Sequence, residues 1–364
     1  MINHDFNDIL ITPAVTSIIR SRSEINPYQL TIGSTSWLPV IVSPMDTVIS
    51  KDNWQLFLNE KMPICFPRGI RPRDFEGEEL SILDCFKDVI FFSYSLEETN
   101  EMIQWLVESQ QSNPNADLGY NILIDIANGH MQHMVDIVRE LRKRSKVKIM
   151  VGNIANPETY RVLSEAGADY IRAGIGFGGG CLTAMNTGVG YSMASLVKKC
   201  ADIKRDMESS DERCALIVAD GGFREYSDII KALALGADYV MLGSILNKTL
   251  ESSGTTFWSN WAFTIRVTQK QANFLWNKKC NLVKKFRGMS TKEVQKEWGK
   301  EKLTTSEGVV RMRTVKYTLS GWCENFEDYL KSAMSYTNSV TLKDFIGNVK
   351  WTVISENSFK RFSK

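Results

Sequence analysis

Residues 166–176 read AGADYIRAGIG, and residues 235–245 read LGADYVMLGSI. Each copy supplies a helix end, a Gly turn, a short β-rich run and a Gly-rich loop. Two related βα units of this kind fit an α/β fold, as an open doubly wound sheet or as a closed barrel. The rest of the chain decides between them. Short β-rich runs recur at PVIVS (39–43), MPICF (62–66), VIFFS (89–93), NILID (121–125), VKIMV (147–151), YIRAG (170–174), ALIVA (215–219) and YVMLG (239–243). Most are continuous apolar runs, as expected of strands buried on both faces. Between them, HMVDIVRELRKR (133–144) sets Met134, Ile137, Val138 and Leu141 on one stripe. PETYRVLSEAG (157–167) opens with Pro and closes with Gly, the start and stop signals of a helix. Further helices are expected over 50–60, 96–109, 190–208 and 225–236. Eight strands alternating with helices predict an α/β chain folded as a (β/α)8 TIM barrel, a single domain spanning residues 1–364.

Composition narrows the function classes. The 364 residues are 43% hydrophobic and 24% charged, with a net charge of +2, globular values that bury a substantial core. No basic tract is dense enough for a nucleic-acid surface, and KKFRGMSTK (284–292) reads as a solvated face. No stretch reaches the roughly 18–20 apolar residues that span a bilayer. The opening MINHDFNDIL lacks a basic region followed by an apolar one. Seven cysteines lie scattered at 65, 85, 181, 200, 214, 280 and 323 without CxxC pairs, which argues for reduced thiols and a cytoplasmic setting. His130 and His133 have helical spacing but no nearby third ligand, so a metal site is not expected there.

In a barrel, functional groups gather where strands end and helices begin. Those positions here are Ser43–Asp46, Asp125–Gly129, Gly152–Asn153, Gly174–Thr183, Asp220–Gly222 and Gly243–Ser244. They form a polar, glycine-rich ring. The last two segments follow strands 7 and 8, the usual phosphate-binding corner. Each glycine taken singly reads as a tight turn. Side by side at that corner, the two loops favour a phosphate held by backbone N–H groups. Cys181 stands within GIGFGGGCLTAMNTGVG (174–190) as a lone thiol among glycines. A nucleophile, a metal ligand and a small apolar loop residue are the available readings, and the setting argues against core packing.

At this point the motifs carry a resemblance. DFNDILITP (5–13), SRSE (21–24), SPMDTV (43–48), GNIA (152–155), GIGFGGGC (174–181), TGVGY (187–191), DGG (220–222) and KALALGADYVMLGS (231–244) occur in order. FRGMS (286–290) and TSEG (305–308) follow them. The set resembles the IMP dehydrogenase/GMP reductase family. SRSE, DIANGH and SEG resemble the reductase branch, and the chain has no inserted regulatory CBS pair after Arg68. SPMDTV looks more like the dehydrogenase branch.

The resemblance implies NADPH-dependent reductive deamination of GMP, or a close purine nucleotide, to IMP and ammonia. It implies that Cys181 attacks C2 to form a covalent thioimidate, which divides a difficult displacement into two easier steps. Thr183 and Glu307 would transfer protons to the departing amine. Asp220 would accept the ribose hydroxyls, while Gly221, Gly222, Gly243 and Ser244 would cradle the phosphate. Gly288, Met289 and Ser290 would meet the base. Asp125, Asn128 and Gly174 would face the nicotinamide carboxamide, and Arg68 the cofactor phosphate. Carbonyls of Gly176, Gly178 and Cys181 would hold a monovalent cation, K+. A homotetramer and a flap over residues 290–325 are also implied. The alternatives are an IMP dehydrogenase without its regulatory domain and an inactive nucleotide-binding homologue.

The chain departs from the family pattern at four places. Leu182-Thr183-Ala184 stands where the family usually has Thr-Thr-Arg, which removes a cation from the loop. Thr304 replaces an Arg common in reductases. Arg287 replaces the reductase Tyr and matches the dehydrogenase residue. An aromatic-rich insertion (254–285) includes Trp258, Trp261 and Trp276. These rings either stack on a base or pack a hairpin or helix against the barrel or another subunit.

Overall fold

The structure, a computed structural model, describes residues 2–32, 35–260, 263–289, 291–297 and 308–362. Among these residues eight parallel strands close into a barrel. In chain order they are β1 (Val40–Val42), β2 (Ile64–Phe66), β3 (Ile90–Tyr94), β4 (Asn121–Asp125), β5 (Ile149–Ile154), β6 (Tyr170–Ala173), β7 (Leu216–Asp220) and β8 (Tyr239–Leu242). β8 pairs with β1 and closes the cylinder. All eight coincide with the apolar runs of the sequence, and the chain is a (β/α)8 TIM barrel.

Alternation along each strand divides the core in two. Ile41, Cys65, Phe91, Leu123, Met150, Tyr170, Val218, Tyr239 and Met241 fill the interior as one cluster. Tyr170 meets Phe91 edge-on at 5.3 Å and lies 5.9 Å from Tyr239, so the cylinder is packed rather than open. The opposite strand faces join a much larger cluster beneath the helices.

Those helices are α1 (Trp54–Asn59), α2 (Gly77–Cys85), α3 (Leu96–Ser112), α4 (Gln132–Arg144), α5 (Pro157–Ala166), α6 (Met193–Ser209), α7 (Tyr226–Leu235) and α8 (Leu319–Tyr336). Neither α2 nor α8 was expected. α2 has weak amphipathic patterning, with only Leu83 buried. α8 is displaced far down the chain from β8.

The Gly-Ala-Asp echo now has a physical cause. Gly167 and Gly236 end α5 and α7 with φ of 109° and 113°, a conformation that costs glycine little. Asp169 and Asp238 then tie the next strand to its neighbour. Asp169 Oδ2 accepts the Ile149 N–H at 2.8 Å, and Asp238 Oδ2 accepts that of Ile217 at 2.7 Å. Each carboxylate also takes a helix cation, Arg142 and Lys204 respectively.

Between β8 and α8 the chain builds a four-stranded antiparallel sheet. Its strands, in spatial order, are Thr264–Val267, Thr256–Ser259, Leu282–Arg287 and Val310–Thr314. The helix Gln269–Asn277 packs on it around Leu250, Ala272, Leu282 and Val315. Trp258 and Trp276 join this small core, so the insertion packs its tryptophans within itself; Trp261 lies outside the described residues. Lys284 is fully buried there and donates to the carbonyls of Leu250, at 2.8 Å, and Ser252. The segment 290–325 holds the strand Val310–Thr314 and the start of α8. No helix among the described residues is long and apolar enough to cross a membrane.

Candidate active site

A cavity of about 430 Å³ opens at the C-terminal end of the barrel, within the size range of small-molecule sites. Loops after six of the strands supply most of its wall. Ser43–Met45 follow β1, Arg68 follows β2, and Asp125–Ala127 end β4. Gly174–Gly176 and Gly178–Cys181 with Thr183 follow β6, Asp220–Phe223 end β7, and Gly243–Ile245 follow β8. Phe286, Gly288 and Met289 of the appended sheet form the roof. The strand order places β4 across the barrel from β8, so Asp125 faces the glycine corner from the opposite side.

The floor is an ion cluster. Arg172, buried on β6, donates from Nη1 to Asp125 at 2.5 Å and from Nη2 to Asp220 at 2.8 Å. Its Nε also reaches Asp220 Oδ2, at 3.1 Å. Burial opposes the Arg172 charge, but the Asp220 and Asp125 carboxylates outweigh it and hold the guanidinium above its ordinary pKa. Asn153 Nδ2 donates to Asp220 Oδ2 at 2.8 Å and to the Gly174 carbonyl at 2.9 Å. Arg68 Nε stands 3.9 Å from the other oxygen of Asp125. The position of Asp220 is therefore fixed from β5 and β6.

Cys181 is half-buried at the cavity wall. Its Sγ donates to Thr183 Oγ1 at 3.2 Å and receives the Thr183 N–H at 3.5 Å. Burial pushes up the thiols of Cys65, Cys200 and Cys323, which suits inert packing. Cys181 differs in lining a solvent-reaching cavity. Its loop is held by a turn, with the Cys181 N–H donating to the Gly178 carbonyl at 2.9 Å.

The roof clamps the same loop through its backbone. Val309 N–H donates to Gly180 O at 3.1 Å, Gly288 N–H donates to Val309 O at 3.0 Å, and Gly308 bridges to Cys181. A Cβ on Gly288 would lie 2.4 Å from Gly180 O, so only glycine permits this approach. Arg287 donates to Asp46 Oδ2 through Nε, at 3.0 Å, and through Nη2. Arg287 and the SPMDTV motif therefore meet as partners across the mouth.

Of the residues expected from sequence, Cys181, Thr183, Asp220, Gly221, Gly222, Gly243, Ser244, Gly288, Met289, Asp125, Gly174, Arg68, Gly176 and Gly178 all line the cavity. Asn128 does not: it is exposed, and its Oδ1 accepts the His130 N–H at 3.2 Å. Glu307, Ser290 and Thr304 lie outside the described residues. Sequence reasoning missed Arg172, although a charge inside an apolar strand signals a buried partner. It also missed Phe286 and the Asp46–Arg287 pair.

A closed barrel, a thiol on a glycine-rich β6 loop and a roof returning to that loop define a class. Residues 110–362 match the IMP dehydrogenase / GMP reductase domain, and the chain belongs to that family. It is 29% identical over 370 residues to the GMP reductase of Phytophthora infestans, covering 99% of this chain and 93% of that protein. Human GMP reductase 2 is 31% identical over 259 residues, 69% of this chain and 70% of its own length. The GMP reductase of Escherichia coli O81 (strain ED1a) is 28% identical over 391 residues, 98% and 96% of the two chains.

Proposed function

We propose that this chain is a GMP reductase-like oxidoreductase that converts GMP, or a close purine nucleotide, to IMP and ammonia with NADPH. The observation that carries the reading is Cys181, set in the cavity wall with Thr183 Oγ1 3.2 Å from its sulfur. The likeness to three GMP reductases along most of the chain supports the same direction.

The phosphate would sit at the β7–β8 corner. The N–H groups of Gly222 and Ser244 make no hydrogen bond within the described residues and are available to it. Asp220, held by Arg172 and Asn153, would accept the ribose hydroxyls. Gly288, Met289 and Ser290 would meet the base edge. The Cys181 thiolate adds to C2 and forms a C–S bond. The 2-amino group leaves as ammonia once protonated through Thr183 and Glu307, giving the thioimidate.

The Asp125 carboxylate, opposite the phosphate corner, fits a carboxamide N–H donor, and Arg68 adds a cation on that side. Asp125, Gly174 and Arg68 would thus hold NADPH, with Asn128 at the outer margin. When bound, NADPH supplies the hydride that C2 receives. The C–S bond then breaks and the sulfur departs as thiolate. Among the described residues the Gly178 carbonyl takes the Cys181 N–H alone, which leaves a lone pair for K+ beside the carbonyls of Gly176 and Cys181. A homotetramer belongs to the same proposal.

IMP dehydrogenase activity is the second reading, favoured by Arg287 on Asp46. Incubation with GMP and NADPH, and separately with IMP and NAD+, tests both. Ammonia release with NADPH oxidation is the expected result. XMP formation from IMP would replace the reductase reading, and nucleotide-induced stabilisation without turnover would leave a binding protein.

A further inference from the structure

Arg313 lies on the edge strand Val310–Thr314, and its guanidinium crosses the Phe286 ring at 4.5 Å. Nη2 donates to the Gly179 carbonyl at 3.3 Å. Gly179 and Ser244 are both walls of the cavity, and Arg313 stands against Gly179 from just outside. A Cβ on Gly179 would lie 2.9 Å from Arg313 Nη2 and 3.1 Å from Ser244 Oγ. The missing side chain therefore lets the guanidinium approach the phosphate corner.

Arg313 has no carboxylate at ion-pair distance among the described residues, and its Nε is buried without a hydrogen-bond partner. Burial and then Arg311 lower its pKa. Lys248, just past Ser244 in the chain, is lowered by burial and by repulsion from Lys316 and Arg313. Positive charge predominates in this patch, with Glu225 opposing it at Lys248. Inside the cavity the charges are matched instead: Arg172 meets two carboxylates, and Arg68 stands beside Asp125. Among the described residues, the β7–β8 corner offers a phosphate dianion neutral groups, backbone N–H and the Ser244 hydroxyl.

We propose that Arg313 supplies the positive charge for the substrate phosphate, reaching the corner across Gly179 and selecting nucleotides over nucleosides. This rests on the reading of the cavity as a purine-nucleotide site. A guanidinium offers a planar set of donors suited to phosphate oxygens.

Calorimetric titration of the full chain with GMP, guanosine and inorganic phosphate tests the assignment. Arg313→Gln should weaken GMP binding about tenfold to a hundredfold, the scale of a charge-assisted hydrogen bond, and leave guanosine affinity unchanged. Arg313→Lys should restore part of the loss. Gly179→Ala should weaken GMP as well, with little further loss when combined with Arg313→Gln. Equal GMP affinity in wild type and Arg313→Gln would overturn the proposal, as would a parallel loss for guanosine. If wild type binds neither GMP nor phosphate, the nucleotide reading fails, and this assignment fails with it.

Discussion

On the floor of the cavity Arg172 faces two aspartates from inside a barrel strand. On the roof Arg287 pairs with Asp46, and Arg313 faces no carboxylate among the described residues. The floor charges are matched and enclosed, so they fix Asp125 and Asp220 in place before any ligand arrives. Of these two roof cations, Arg313 is the one whose charge no described carboxylate balances. The roof strand Leu282–Arg287 alternates buried and half-exposed residues, whereas β3 is buried throughout. Rigidity below and selection above follow from the same residue type in two settings.

The largest effect is expected where floor and roof meet. Cys181→Ala should fold and bind nucleotide but lose at least about a thousandfold in turnover, since a covalent route has no substitute. Steady-state ammonia release alongside calorimetry measures both halves. Next, Arg172→Met should destabilise the chain by about 3–5 kcal/mol, because two carboxylates are left facing each other without their cation. Urea unfolding checks this, and a loss below about 1 kcal/mol would dissolve the distinction between floor and roof.

The buried Lys284 of the roof gives a pH signature. Burial lowers its ammonium from the ordinary 10.5 to about 7, with Glu251 opposing the shift. The unfolded chain then binds one more proton between those values, so stability rises with pH across that window and is lost as pH falls toward 7. The rise should amount to roughly 2 kcal/mol between about pH 7 and 8.5, and should vanish in Lys284→Met. Unfolding midpoints of both proteins across that range measure it. The smallest effect is expected for Arg287→Tyr, which frees Asp46 and should raise the KM for nucleotide about tenfold with little change in kcat.

The barrel was legible because strands buried on both faces leave uninterrupted apolar runs, and because Gly-Ala-Asp repeats a helix end and a strand tie. The ring of site residues was legible because polar and glycine positions fall at strand ends. Long-range pairing was not. Asp46 and Arg287 are 241 positions apart, and neither local sequence points to the other. The appended sheet was hidden because KK within LVKKFR reads as a surface, while Lys284 is in fact enclosed by backbone carbonyls. The resemblance sets Asn128 against the cofactor, while in the structure the loop turns its side chain toward His130.

The most direct test of the account is the covalent bond itself. Turnover of isotopically labelled GMP with NADPH, quenched in acid and mapped by peptide mass, should place a purine adduct on the peptide that contains Cys181. The adduct should be absent from Cys181→Ala. Undiminished ammonia release by Cys181→Ala, with no adduct on the wild-type peptide, would contradict the claim that this loop carries the reaction.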